Sequence, residues 1–413
     1  MDRVRKRNPN MKPSGPFDFL NDARIRGILA QVILLGLVLF SLWWLITNTS
    51  QNLDKLNKSL GFGFLEQNAG FQIAPTLGTW LFSYEVGQST YWDVYLIGIV
   101  NTLVVAVFGV IAATIIGFLV GIMRLSNNLI LRSFATVYVE VLRNLPLLLQ
   151  LFFWYFTVLR AFPDKRGKFD LIPGVVSVNL EGLFLPYPIW QSGAGFAGIV
   201  LLIAALSAVF LRYQSRKRQL LTGHPLPIWR ITLGIFALAA MVIWVSVGIP
   251  LEWSLPEFKE TGPILRRGFQ QETAIMVIPE MLAVWFALTL YTAAFIAEIV
   301  RSGIMAVNKG QSEAAGALGL NRGLTLRLVV IPQALRVIIP PLTSQYLNLT
   351  KNSSLAVAIA YPELVSIFAG TAMNQVGKEI EMFGMMMLVY LTFSLLTSFF
   401  MNWFNKRSML VER

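Results

Sequence analysis

Long apolar runs separated by short polar stretches dominate this chain, and the length of the runs is the first signal. Eight of them, over 27–47, 94–123, 134–159, 196–211, 231–250, 277–300, 328–349 and 383–404, approach or exceed the roughly 17 to 25 residues that a helix needs to cross a bilayer. They predict an all-α integral membrane protein, a polytopic helical bundle of about eight transmembrane helices. The fourth run is the shortest and needs flanking residues such as Tyr213 to cross; a re-entrant segment is the alternative. The apolar stretch 355–360 is too short to span and predicts an external helix, a re-entrant element or a loop packed on the bundle.

Charge supplies the orientation. Only 14% of the 413 residues are charged, against roughly 25% in soluble chains, and 55% are hydrophobic. With the N-terminus in the cytoplasm, 21 of the 34 Lys and Arg fall in the inside segments 1–26, 124–133, 212–230, 301–327 and 405–413. The longer outside segments 48–93, 160–195, 251–276 and 350–382 hold 11. The density is about threefold higher inside, as the positive-inside rule requires, and both termini are then cytoplasmic. Seven spans would lose that match, so the fourth run is read as crossing. The formal charge of +12 is thus mainly topological signal, and no nucleic-acid partner is expected.

Arg3, Arg5, Lys6 and Arg7 have the look of a signal-peptide start, but the first apolar run begins about twenty residues later and is too long for a cleaved segment. It reads as an uncleaved anchor. The absence of cysteine excludes a disulfide framework and thiolate metal sites. The one histidine, His224 between Gly223 and Pro225, reads as a loop residue, because metal sites need several converging ligands. No metal and no cofactor are expected in this chain.

Four regions follow. Residues 1–91 hold a basic tail, the first span and an external segment containing Gly61-Phe62-Gly63-Phe64. Residues 92–159 and 277–413 carry the patterned residues, with a polar loop at 301–327. Between them, 160–276 is a two-span insert whose external loops contain Pro173, Pro186, Pro188 and Pro256. There is no tandem repeat and no evident inverted similarity of the kind common in secondary transporters.

The polar loop carries the sharpest motif, Glu313-Ala314-Ala315 followed by Gly319 and by Ile331-Pro332. Ser312 can cap a short helix with Glu313 at its first position, near the positive end of the helix dipole. Ala314, Ala317 and Leu318 then share one small apolar face, and Gly319 supplies a C-terminal stop. Such a helix suits insertion into a groove on another protein, although an ordinary surface helix between spans has the same local features.

The run Ala297 to Ile304, then Gly310 to Leu320, Ile331-Pro332-Gln333-Ala334-Leu335-Arg336 and Leu349-Thr350-Lys351-Asn352-Ser353-Ser354-Leu355 resemble the polar amino-acid branch of ABC importer permeases. So does Glu140 to Phe153, with Arg143, Pro146 and Gln150. Val329 and Ile331 are mild departures that preserve size and polarity. The anchor and the insert are similar to the larger permeases of general L-amino-acid importers. The resemblance implies a type I permease core in a bacterial inner membrane, importing L-amino acids. It implies half of a heterodimeric pore with a second, related permease, served by a periplasmic amino-acid-binding protein. The importer would have two ATPase subunits, with docking in this chain on Ser312, Glu313, Ala314, Ala315, Leu318 and Gly319. ATP and Mg would sit on those partners: no Walker A sequence occurs here, and Gly377-Lys378 is followed by Glu379. The chain is therefore expected to be a transport subunit and not an enzyme. An ion-coupled secondary transporter is the alternative, and it should lack the docking sequence.

Ionisable residues within spans are costly and mark function or gating. Glu140 and Arg143, at i and i+3, can pair, and Pro146 then kinks or opens their helix. Glu298 and Arg336 also lie toward the cytoplasmic end. Gln150, Thr289, Tyr291 and Thr292 fall near the midplane, and Asn348 nearer the outer end. Lys351, Asn352 and Ser353 at the outer mouth could meet a zwitterion, with Glu363 beyond them. These are the pathway candidates, alongside membrane lipid as the surrounding partner.

Overall fold

A computed structural model of the chain describes residues 23–55, 61–223, 226–261, 267–270 and 273–408. It divides into two units, Met1–Phe62 and Gly63–Arg413. The first contains α1 (Ala23–Lys55), a helix whose apolar side chains are exposed all round, as in a span bathed in lipid. Arg3, Arg5, Lys6, Arg7 and His224 lie outside the described residues.

The second unit opens with a short helix α2 (Leu77–Leu81), whose Gly78 lies against Ile97 and donates its N–H to the side-chain Oδ1 of Asn101 at 3.1 Å. The first long helix, α3 (Tyr91–Met123), starts at a capping box in which Thr90 and Asp93 satisfy each other's backbone N–H groups. Its strongest partner is α8 (Pro279–Met305). The reason is a pair of glycines four apart, Gly117 and Gly121, that let the two backbones approach. A Cβ on Gly117 would sit 2.6 Å from Ile296 Cβ, and one on Gly121 would sit 2.8 Å from the Ala297 carbonyl. Close backbone approach of this kind is the usual driver of helix association in lipid.

The expected third span is two helices. α4 (Leu129–Asn144) meets α5 (Leu147–Phe152) at Pro146, and α5 continues through a wide turn, Phe153–Val158. The bend across this break is 108°. Proline cannot donate an N–H, so carbonyls at the end of α4 are left without helical partners. Gln150 takes them over: its Nε2 donates to Leu142 O at 2.9 Å and to Leu145 O at 3.1 Å.

The insert is more ordered than its prolines suggest. Strands β1 (Phe169–Ile172), β2 (Val176–Asn179), β3 (Gly182–Trp190), β4 (Leu251–Ser254) and β7 (Ala274–Val277) form an antiparallel sheet, while β5 (Phe258–Lys259) pairs β6 (Gly268–Phe269). Pro186 and Pro188 lie inside β3, where loops were expected. They fit because β2 reaches only to Phe184; Pro186 then has a partner only in β7, and Pro188 only in β4. β3 and β4 lead into an antiparallel pair, α6 (Ala194–Thr222) and α7 (Ile228–Val247). The fourth run is therefore not marginal: its helix continues through the basic residues to 29 residues in all.

After α8 come the loop helices α9 (Lys309–Ala317) and α10 (Arg322–Thr325), then α11 (Ile331–Asn352) with Pro332 in its first turn. A tight turn over Ser353–Ile359 reverses at Ala360, in the left-handed region at φ 58°, so 355–360 re-enters the bundle. Tyr361, Glu363 and Leu364 are buried there; Asn101 Nδ2 donates to Pro362 O at 2.7 Å and Leu364 N to Thr102 Oγ1 at 3.2 Å. α12 (Met373–Val376) and α13 (Glu379–Ser408) complete the chain. Seven of the described helices are long and apolar enough to span, and the bent α4–α5 pair is an eighth candidate.

Candidate functional site

The loop at the end of α8 is built from local rules. Asn308 caps α9 by accepting the Gly310 N–H at 2.8 Å. Ser312 is not the cap, and Glu313 is well inside the helix, so it gains little from the dipole; capping geometry favoured the earlier Asn. The exit is as the glycine predicts. Gly319 has φ +77°, its N–H donates to Gly316 O at 2.9 Å, and Leu320 N–H donates to Ala315 O at 3.1 Å. These two bonds make a Schellman stop.

Ala315 is buried and anchors α9, whereas Ser312, Glu313, Ala314, Ala317, Leu318 and Gly319 are exposed, Leu318 at 83%. Gln333 Nε2 ties α11 back to Gln311 at 3.2 Å. Between α8, α9 and the following turn lies a cleft of about 500 Å³, lined by Ile304, Val307, Ser312, Gly316 and Leu320 among others. The helix thus offers a small apolar face held on a fixed base.

The charged candidates form a knot near that end of α8. Glu298 accepts from Arg124 of α3 and, through both oxygens, from Arg301, at 2.5 Å for Nη2 and 3.2 Å for Nε. Arg124 also reaches Glu140 on α4 at 3.7 Å. Glu140 and Arg143 do not pair as their spacing suggests. Arg143 lies over the Phe295 ring at 5.1 Å, because the bend turns α4 across α8. Arg124 is the residue that sequence reasoning missed. It stands at the C-cap of α3, and nothing local signals a partner 174 positions away.

Near mid-span, Gln150 and Thr289 are buried, at 5% and 1% exposure, and the Oε1 and Oγ1 atoms of these residues have no protein partner. Thr292 is also buried, and Tyr291 is half-buried against Phe295. Ser353 is buried and donates to Thr350 O at 2.7 Å; Glu363 is buried and accepts the N–H groups of Val365 and Ser366 and the Tyr390 hydroxyl. Arg336 and Asn352 are half-buried.

Asn348 and Lys351 are different. They are exposed and belong to a stripe along α11, Val337, Pro341, Ser344, Asn348 and Lys351, at alternating spacings of four and three. Pro341 also removes the donor that the Val337 carbonyl would accept in an uninterrupted helix. The exposed stripes of α3 (Val107, Ile111, Ile115, Leu119, Ile122) and α13 (Met387, Leu391, Leu395) are apolar and suit lipid. A stripe carrying serine, asparagine and lysine does not, since polar groups in spans face a cavity or another protein.

The sequence profile of the family described as binding-protein-dependent transport system inner membrane component matches residues 113–409. AapQ of Rhizobium johnstonii, a general L-amino acid transport system permease protein, is 48% identical over 396 residues, covering 95% of this chain and 94% of its own. YhdX of Escherichia coli K12, a putative amino-acid ABC transporter permease protein, is 43% identical over 97% of this chain and 98% of its own. BztB of Rhodobacter capsulatus, a glutamate/glutamine/aspartate/asparagine transport system permease protein, is 39% identical over 95% and 96%. With a family match from the last third of α3 through α13 and relatives aligned over nearly their full length, this chain belongs to the binding-protein-dependent transport system inner membrane components.

Proposed function

We propose that this chain is the transmembrane permease subunit of an ATP-driven ABC importer for L-amino acids. It forms half of a heterodimeric pore with a second, related permease and receives substrate from a periplasmic binding protein. The observation that carries the reading is α9: a capped helix of nine residues with an exposed Ala314–Ala317–Leu318 face, at the end of the span that packs most extensively on α3. A helix presenting such a face fits a groove on an ATPase subunit. ATP and Mg²⁺ belong on two such subunits, and the loop end of the bundle is cytoplasmic.

The α11 stripe supports the pore. Its Lys351, Ser344 and Asn348 offer a cation and donors for the carboxylate of an amino acid, and the hydroxyl and amide oxygens of Ser344 and Asn348 offer acceptors for its ammonium; the missing wall of the pathway is the second permease. Closure of the ATPase pair would push on α9 and hence on α8, whose inner end is tied to α3 and α4 through Glu298 and Arg124. Two arrangements of this bundle, each favoured by a different nucleotide state, are the physical requirement for alternating access.

The test is uptake of a radiolabelled amino-acid panel into proteoliposomes holding the chain with its co-expressed partner permease, ATPase and binding protein. The unaltered complex should require ATP and binding protein, and Glu313→Lys should abolish uptake. Uptake driven by an ion gradient without ATP would overturn the proposal.

A further inference from the structure

We propose that the α6–α7 hairpin carries a binding site for anionic phospholipid headgroups, formed by Arg212, Arg216, Lys217, Arg218 and Arg230. The proposal goes beyond the transport reading and does not depend on which substrate is carried. All five side chains are exposed, and no salt bridge to a carboxylate is found for them among the described residues. The sequence contains no Asp or Glu between Glu181 and Glu252. By contrast, Arg124 and Arg301, at the same end of the bundle, both pair with Glu298, and Arg124 also reaches Glu140.

Helix length sets the depth of these cations. α6 starts beside the sheet at Ala194 and runs 29 residues, about 43 Å, while the hydrocarbon core is about 30 Å thick. Arg212 therefore lies at the far edge of the hydrocarbon, and Arg216–Arg218 lie at phosphate level about 6–9 Å beyond it. α7 returns at the same level. Leu226 N–H donates to Ser215 Oγ at 3.2 Å, which sets Arg230 near Arg212. Buried Ala197, Ala204, Ala208 and Ser215 form the seam toward α7; at 100° per residue, Arg212 and Arg218 stand about 60° to either side of it. Among the described residues the two helices pack extensively on each other and not extensively on any other helix or strand, so headgroups can approach this end from most sides.

One flanking side chain suits an interface. Leu220, Leu221 and Trp229 are 87%, 77% and 67% exposed, and Arg230 lies over the Trp229 ring at 5.1 Å. The amphipathic Trp229 ring, about level with Arg212, matches the acyl–headgroup boundary better than open water, whereas Leu220 and Leu221 lie about 12–14 Å beyond Arg212, outside that boundary. An acidic protein surface would complement the charge but would leave the exposed Trp229 at the level of Arg212 unexplained.

The experiment is native mass spectrometry of the complete transporter, titrated with phosphatidylglycerol against phosphatidylcholine. The unaltered complex should retain phosphatidylglycerol preferentially, and the preference should fall with added salt. The triple variant R216Q/K217Q/R218Q should lose about fivefold in affinity per charge, on the order of 100-fold in all. K406Q/R407Q at the end of α13 should leave the preference unchanged. Should the triple variant fail to assemble, R216K/R218K, which keeps the charge, should bind as the parent does, and the salt dependence of the parent still decides. Equal retention of the two lipids by the parent, or a preference insensitive to salt, overturns the proposal. So does a triple variant that sheds its ATPase subunits while keeping its lipid preference, which would assign the cluster to a protein partner.

Discussion

Gly319 isolates a single energetic contribution to the α9 loop. It sits at φ +77°, and a Cβ built on it would meet nothing within 4 Å. Alanine there adds no clash, only the cost of a left-handed conformation, about 1–2 kcal/mol. Asparagine tolerates that region better and should cost less. Proline cannot reach φ +77° and also deletes the N–H that donates to Gly316 O, so at least about 3 kcal/mol is lost. Helices this short are marginal in isolation, so the cost falls directly on the population of the folded loop. Since about 1.4 kcal/mol is tenfold, alanine should lower that population roughly 5- to 30-fold relative to its unfolded alternatives, and proline more than 100-fold. The assay is ATP hydrolysis stimulated by substrate-loaded binding protein, with uptake measured in parallel. Expected activity runs Gly, Asn, Ala, Pro, with membrane insertion equal in all four. A proline variant that couples and transports at the parental rate would refute the assignment of α9 as the docking element.

Three further outcomes are expected. Gly117→Ala places a Cβ 2.6 Å from Ile296 Cβ and should cost about 1–3 kcal/mol, read as a lower thermal midpoint in detergent, whereas Gly384→Ala on α13, with open space around it, should not; equal midpoints for the two would contradict the packing argument. Arg124→Gln should cost about 1–3 kcal/mol by leaving Glu298 without its interhelical partner, a value discounted because Glu298 is 26% exposed, and Glu140→Gln, at 57% exposure, should cost no more than about 0.5 kcal/mol. Because the chain has no cysteine, single cysteines can be read cleanly: Ser344→Cys and Asn348→Cys in the assembled complex should react with a charged, membrane-impermeant thiol reagent, and Leu391→Cys on the apolar stripe of α13 should not. Silence at both α11 positions would remove that stripe from the pathway.

The sequence by itself determined what depends on neighbours within a few residues or on the length of an apolar run. The spans follow from run length. The stop at Gly319 follows from the one residue type at home in a left-handed conformation, and the break at Pro146 from its missing donor. The 4-3-4-3 spacing through Ser344, Asn348 and Lys351 is helical period, but that this face of α11 is the exposed one came from the structure alone. What only the tertiary structure decided is which segments face each other. Gln150 read as a pathway residue, and its Nε2 proves to brace a 108° bend while its Oε1 stays without a partner among the described residues. Glu140 turned from Arg143 to Arg124 because the bend carries α4 across the bundle. Pro186 and Pro188 read as loop, yet stand in β3 where only one neighbouring strand is present. In each case the bend or the sheet decided which groups stand opposite one another, and that placement lies beyond the reach of local periodicity.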